Sequence, residues 1–220
     1  LEYASIDDIL ANSDIVTMHC PLNEDSKYMC NKEFFKKMKK DASKLMTEEQ
    51  FWTIIENSNR GRNLKECLTP LSEEELFGFR YWWIHFCHIS YKQELWAVAY
   101  VVLGGCSDDG FDYFRFWLIV QGQKVFYNAL ENADTLCDVF SELEDPEGDD
   151  YPEQEDLNYA VQKVLEERTG DEDFFYTVEE NYLLPQYTHK IELEWEEDNE
   201  ESIRKVCPRT FDKWWENDVF

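Results

Sequence analysis

Apolar positions recur at three- and four-residue steps through most of this chain, the spacing of amphipathic helices. Thr47-Glu-Glu-Gln50 is a capping box, and the Phe51, Trp52, Ile54 and Ile55 behind it predict a helix. Asn57 to Leu68 is polar and reads as a loop or weak helix. Ser72-Glu-Glu-Glu75 is a second box, opening a helix that carries Leu76, Phe79, Trp83 and Phe86 and runs to about Ser90. Trp96 to Leu103 is an apolar run whose periodicity fits helix or strand; Gly104-Gly105 after it suits a left-handed helix stop and favours helix. Ser107 then stands where an N-cap belongs, with Asp108 and Asp109 in the first turn. The helix it opens has Phe111, Phe114, Trp117 and Leu118 on one side and Tyr113 and Phe116 beside them, which predicts a central position. Gly122 is expected to bend it before Val125, Phe126, Tyr127 and Leu130. Farther on, Asp156 to Arg168 reads as an amphipathic helix, Ile191 to Trp195 alternates like a strand, and Glu201 to Trp215 reads as a helix interrupted at Pro208.

The first 43 residues follow another pattern. Ser5 can cap a helix over Ile6 to Asn12, Ile15 to Met18 is a β-branched run of the kind buried in parallel sheets, and Pro21 ends it. Asn31 to Lys40 reads as a second helix with Phe34, Phe35 and Met38 on one side. The expected fold class is therefore mainly α: a compact multi-helix domain over residues 46–220 with at most a minor strand element. An incomplete helix–strand–helix fragment of α/β type, residues 1–43, precedes it. That fragment's strand would lack both parallel neighbours, so loose docking is expected.

Charge divides the chain at the same place. The 48 acids outnumber 21 lysines and arginines for a net −27, and residues 44–220 carry −25 of it. All eight tryptophans lie after Asp41. A 43% hydrophobic content supplies a core, while the acidic surplus disfavours nucleic acid and anionic membrane surfaces as partners. The apolar runs are too short to cross a bilayer, and no signal segment is seen at the start. Seven cysteines without a CxxC pair point to reduced thiols and a cytoplasmic setting. Ser141 to Asp156 reads as an exposed acidic loop.

Two stretches resemble known families. Ile6-Asp-Asp-Ile-Leu-Ala-Asn-Ser-Asp-Ile-Val-Thr-Met-His-Cys-Pro-Leu22 and Asn31-Lys-Glu-Phe-Phe-Lys-Lys-Met38 resemble the NAD-dependent D-2-hydroxyacid dehydrogenases, the D-lactate group in particular. The resemblance implies that His19, Cys20 and Pro21 line the adenosine side of the cofactor. No GxGxxG or ribose-binding acid precedes them, and Ser43-Lys-Leu-Met-Thr-Glu-Glu-Gln50 replaces the family's next strand. The catalytic Arg, Glu and His have no counterparts, so a remnant without dehydrogenase activity is implied. Met46-Thr-Glu-Glu-Gln-Phe-Trp52 and Leu95-Trp96 through Gly104-Gly-Cys-Ser-Asp-Asp-Gly-Phe to Gly122 are similar to the bacterial DUF4240 family. That resemblance implies no particular chemistry.

Cys106, Ser107, Asp108, Asp112 and Arg115 form the candidate polar site. At steps of four and three, Asp108 and Asp112 can flank the Arg115 guanidinium on one helix face. Helix capping plus a structural ion pair is the preferred reading, and a polar site at a helix mouth the alternative. Cys106 as a nucleophile would need His85 or His88 as its base. Those histidines supply only half a metal site, and Asp108-Asp-Gly-Phe-Asp112 has its Gly too early for a calcium loop. No metal and no cofactor are expected. Three functions follow: an immunity- or antitoxin-like interaction protein for a basic protein partner, an enzyme or small-ligand domain using Cys106 to Arg115, and an NAD-binding but inactive dehydrogenase remnant. Oligomeric state is left open.

Overall fold

Side-chain caps decide where several helices of the computed structural model begin. It describes residues 4–13, 16–19, 26–27, 30, 34, 38–146, 148, 150–186, 190–197 and 199–216. Helix α1 (Ile6–Asn12) starts behind Ser5, whose hydroxyl accepts from the Asp8 amide while Asp8 reaches back to the cap amide. Strand β1 (Lys40–Asp41) leads into a 3-10 turn over Ala42–Lys44. The Thr47 and Ser72 boxes open α2 (Glu48–Asn57) and, after the short α3 (Leu64–Leu68), the long α4 (Glu73–Ile89), as their sequences predict.

The apolar run at Trp96 is helical, within α5 (Gln93–Val102). Gly104 and Gly105 end it with φ of +65° and +129°, and the Gly105 amide returns to the Tyr100 carbonyl at 2.9 Å. Ser107 caps α6 (Asp108–Val120). Gly122, at φ +95°, breaks the predicted bent helix into two, and α7 (Gln123–Glu131) sets off in a new direction. Then come α8 (Leu136–Phe140), a 3-10 turn over Glu155–Tyr159, α9 (Ala160–Thr169) and α10 (Phe174–Glu179). Strand β2 (Tyr182–Leu183) is followed by α11 (Glu200–Val206) and α12 (Pro208–Trp214), split at Pro208 as expected.

Aromatic rings connect these helices into one core. Phe51 of α2 lies 4.8 Å from Phe79 of α4, and Trp52 lies 4.5 Å from Phe86 and 5.4 Å from Phe126 of α7. Trp83 meets Phe116 of α6 at 5.8 Å, Trp117 meets Phe140 at 5.4 Å, and Phe140 meets Trp214 of α12 at 6.2 Å. These separations lie in the range where ring pairs attract, and each fully buried ring contributes roughly 1.5–3 kcal/mol relative to exposure. Gly78 lets the chain before α2 lie against α4: a Cβ there would sit 2.7 Å from Met46 Cβ and 2.9 Å from the Met46 amide.

The strand expectations require correction. Val16 to His19 form no regular element, so the predicted strand Ile15 to Met18 is absent over its described residues; Ile15 lies outside them. The predicted helix Asn31 to Lys40 falls mostly outside the described residues; Phe34 within it is helical, and its last residue belongs to β1. Ile191 to Trp195 is coil, because Trp195 is drawn into the core against Tyr100, 5.4 Å away, and donates to the Gln93 carbonyl at 3.1 Å. The strand pair that does exist joins β1 to β2 in parallel, Lys40 opposite Tyr182 and Asp41 opposite Leu183. Ala42, just after β1, is fully buried in the core, whereas Leu10 is buried outside that core and Ile6, Ile9 and Met18 stay exposed.

The acidic tract is an irregular stretch mostly at the surface, as predicted, with Asp150 and Pro152 the buried exceptions among its described residues. Asp150 is 2% exposed. Its carboxylate accepts from the amides of Glu144 and Asp145, each at 3.1 Å, and from Arg62 at 2.8 Å, with Arg60 3.8 Å away. Asn59, Arg60 and Gly61 all have positive φ, a left-handed turn that carries both arginines toward this carboxylate. The Trp117 indole donates to the Asp150 carbonyl at 3.1 Å, so the tract is tied to the central helix.

Candidate functional site

Ser107 and Arg115 do different jobs on α6. The Ser107 hydroxyl accepts from the Gly110 amide at 3.2 Å, satisfying one free donor of the first turn. One turn later Arg115, only 7% exposed, donates to Asp112 and to the carbonyl of Cys87, and its guanidinium lies 4.8 Å from the Tyr91 ring and 5.1 Å from Phe111. Cys87 is in the last turn of α4, so the cation meets the negative end of that helix. Asp112 takes the guanidinium, while Asp108 remains exposed in the first turn. The Arg115 Nε is buried without a hydrogen-bond partner, in an aromatic cleft with no polar group for it.

Thiol chemistry is suppressed here. The Cys106 thiol is pushed up to about 12, first by burial and then by the nearby Glu153 and Asp108 carboxylates. Burial likewise pushes Cys87 up to about 12, despite the opposing charges of Arg115 and Arg80. A thiol so rarely ionised near neutral pH is a poor nucleophile. His85 packs 5.5 Å from the Trp82 ring, with burial lowering its pKa and Glu48 opposing that shift, and His88 lies in the last turn of α4. Among the described residues no group of three His, Cys, Asp or Glu side chains is placed to hold a metal ion. Of the cofactor-lining trio, His19 is exposed outside any regular element, and Cys20 and Pro21 lie outside the described residues.

Glu153 was not legible as part of this segment. Its carboxylate rests over Gly110, where a Cβ would stand 2.7 Å from Oε1, and burial raises its pKa. Sequence offers no signal for it, because the partner is forty-three positions away and the intervening chain is irregular.

A cavity of about 570 Å³ opens between α2 and the start of α7, walled by Glu48, Glu49, Glu56, Trp52 and Gln123. Glu48 accepts from the Tyr127 hydroxyl at 2.7 Å and from the Trp52 indole at 3.1 Å. Burial and the Glu48 carboxylate push Tyr127 up to about 12. Glu56 accepts from the Gln123 amide at 3.1 Å and so caps α7, leaving Glu49 exposed at the rim. The helical spacing of acids at 48, 49 and 56 around Trp52 was available in the sequence; that α7 closes the other side was not.

The arginines of the chain pair within the molecule, Arg115 in the interior and Arg204 and Arg209 at the surface. All seven arginines are engaged within the molecule: Arg60 and Arg62 with Asp150, Arg80 with Glu179, Arg115 with Asp112, Arg204 with Asp212, Arg209 with Asp138, and Arg168 on the carbonyls of Leu68, Thr69 and Leu71. Acids such as Glu49, Glu56, Glu74, Asp108 and Asp109 remain at the surface. No helix among the described residues is long and apolar enough to cross a membrane.

Comparison with known proteins divides the chain in two. A family model described as a protein of unknown function (DUF4240) matches residues 46–167, and one for the NAD binding domain of D-isomer specific 2-hydroxyacid dehydrogenases matches residues 1–61. The second match extends past the break at residue 43 and overlaps the first. The 2-hydroxyacid dehydrogenase A of Aspergillus oryzae is 33% identical over 79 residues, covering 35% of this chain and 20% of that protein. A Haemophilus influenzae protein, provisionally named a 2-hydroxyacid dehydrogenase, is 50% identical over 40 residues, 18% of this chain and 13% of its own. The chain thus spans a fifth or less of these relatives' length. No solved structure matches it.

Proposed function

From the premise that the chain belongs to the DUF4240 family of proteins of unknown function, we propose that it is an interaction protein, immunity- or antitoxin-like, whose acidic body occupies a basic protein partner. One observation carries this reading: every arginine is spent on internal contacts while the acidic surplus faces outward. Such a surface attracts a basic protein over about a Debye length, roughly 8–10 Å at physiological salt, and speeds its capture. The groove between α2 and the start of α7 gathers Glu48, Glu49 and Glu56, and exposed Glu49 stands at its rim. Full-length protein should bind a discrete basic partner with an affinity that falls steeply as salt is raised, and Glu49→Lys should weaken that binding. Absence of any basic partner, or binding indifferent to ionic strength, overturns the reading.

A cofactor-binding remnant is the second reading, favoured by the dehydrogenase match to residues 1–61. The described residues do not fit the cofactor: Val16 to His19 form no strand, and among them no glycine loop joins a strand to a helix start to receive a pyrophosphate. Titration calorimetry with NAD separates the two readings, and heat of specific binding would revive the second. Catalysis at Cys106 to Arg115 is not favoured, since its thiol is held protonated and its cation is consumed by Asp112 and the end of α4.

A further inference from the structure

The contact between β1 and β2 has the form of a receptor holding a short basic peptide. Lys40 donates its amide to the Asn181 carbonyl at 2.8 Å, and its ammonium lies 2.8 Å from Glu74 Oε1 and 5.3 Å from the centre of the Tyr182 ring. Tyr182 is itself fixed, stacked on Phe77 at 4.1 Å and donating its hydroxyl to Glu73 at 2.8 Å. Two positions on, the small side chain of Ala42 is fully buried. Strand pairing supplies affinity that any backbone can make, and the carboxylate and ring supply a seat that selects a cation.

The guest strand and the helix that faces it resemble different families, while β2 itself lies beyond both matches. Lys40 falls within the dehydrogenase-like match, 1–61, and before the family match at 46–167 that contains Glu73, Glu74 and Phe77. A seat on the acidic body is therefore filled by a segment similar to an unrelated protein, through contacts that require only an extended backbone, a lysine and a small residue. We propose that β2 and the first turn of α4 form a docking seat for an extended, lysine-bearing segment of a basic partner protein, and that Lys40–Ala42 occupies it in cis. The inference rests on the proposed function and names where and how the partner is held.

Fluorescence anisotropy with a labelled peptide of residues 36–44 as probe, at low salt and on full-length protein, tests it. The parent should bind the peptide weakly, because the tethered strand competes at an effective concentration near millimolar. Lys40→Glu, which sets like charges together, and Lys40→Pro, which removes the bonded amide, should each raise affinity about tenfold or more. Lys40 and Glu74 are half-exposed, so these changes leave the core intact, which melting by circular dichroism verifies. Adding Glu74→Lys to Lys40→Glu restores the internal pair with charges exchanged and should abolish the gain. Lys65→Glu, an equal charge change on α3, should leave affinity at the parent value. The seat is overturned if neither Lys40 variant gains affinity, if the gain survives Glu74→Lys, or if Lys65→Glu gains equally. It is also overturned if size-exclusion chromatography shows the parent exchanging this strand with a second copy. Salt-sensitive partner binding that persists in every variant would sink the seat alone; its absence throughout would sink the proposed function.

Discussion

Replacing Arg115 with methionine separates a structural cation from a functional one. The substitution keeps an unbranched apolar stem against Phe111 and Tyr91 and deletes the guanidinium. Four contributions decide the outcome. The bond to the Cys87 carbonyl at the end of α4 is worth about 1.5–3 kcal/mol, and part is retained because the Ser90 hydroxyl also donates to that carbonyl at 3.2 Å. The pair with Asp112, whose side chain is 48% exposed, adds under about 1 kcal/mol. The two ring contacts add about 0.5–2 kcal/mol. Against these, methionine removes a buried Nε without a partner, returning about 1 kcal/mol or more. The net loss for Arg115→Met is about 1–2 kcal/mol, and Arg115→Ala, which also opens a cavity, should lose about 3–4 kcal/mol. With a urea slope of about 2 kcal/mol/M, the methionine variant's midpoint should fall by about 0.5–1 M, without change in partner binding. Stability equal to the parent's, or binding lost while the fold persists, would refute a structural role for this cation.

Two further outcomes test other parts of the structure. Gly78→Ala should destabilise by about 1–3 kcal/mol in urea unfolding although alanine favours helix, because its Cβ meets the backbone of Leu45 and Met46, which cannot swing aside; a neutral or stabilising result would show that the segment before α2 does not lie against α4. Glu153→Gln should raise Tm at pH 7, with the gain shrinking as pH falls toward the ordinary carboxylate value near 4.5. Burial raises the folded carboxyl's pKa, so the native state holds the proton more tightly and loses stability as pH rises from the unfolded value through the folded one. A gain equal at both ends of that range would remove burial of the charge as the cause.

Local chemistry made much of the helical framework readable. The boxes at Thr47 and Ser72, the Ser107 cap and the Gly104-Gly105 stop act within four or five residues, and each lies where the pattern puts it. The candidate segment was legible to the same extent: the spacing of Asp112 and Arg115 on a helix is local, and so is their pairing. What Arg115 holds was not, since the Cys87 carbonyl arrives from another helix and the Tyr91 ring from the segment that follows it. Strands failed for the same reason. Two-residue strands carry almost no period, and Lys40 pairs with a residue far along the chain, whereas the alternation at Ile191 to Trp195 yielded to the pull of one buried indole.

The sequence alone determined helical class, cap positions, the aromatic core and the sign of the surface, because these depend on neighbours within a turn or on sums over composition. Tertiary structure alone decided that an acidic tract buries Asp150 beneath two arginines, that burial and then the Glu153 carboxylate push the Cys106 thiol up, and that the leading segment ends as a strand on the body. Each of those depends on which surfaces meet, and a carboxylate or an amide carries no mark in the chain of the partner that burial will bring to it.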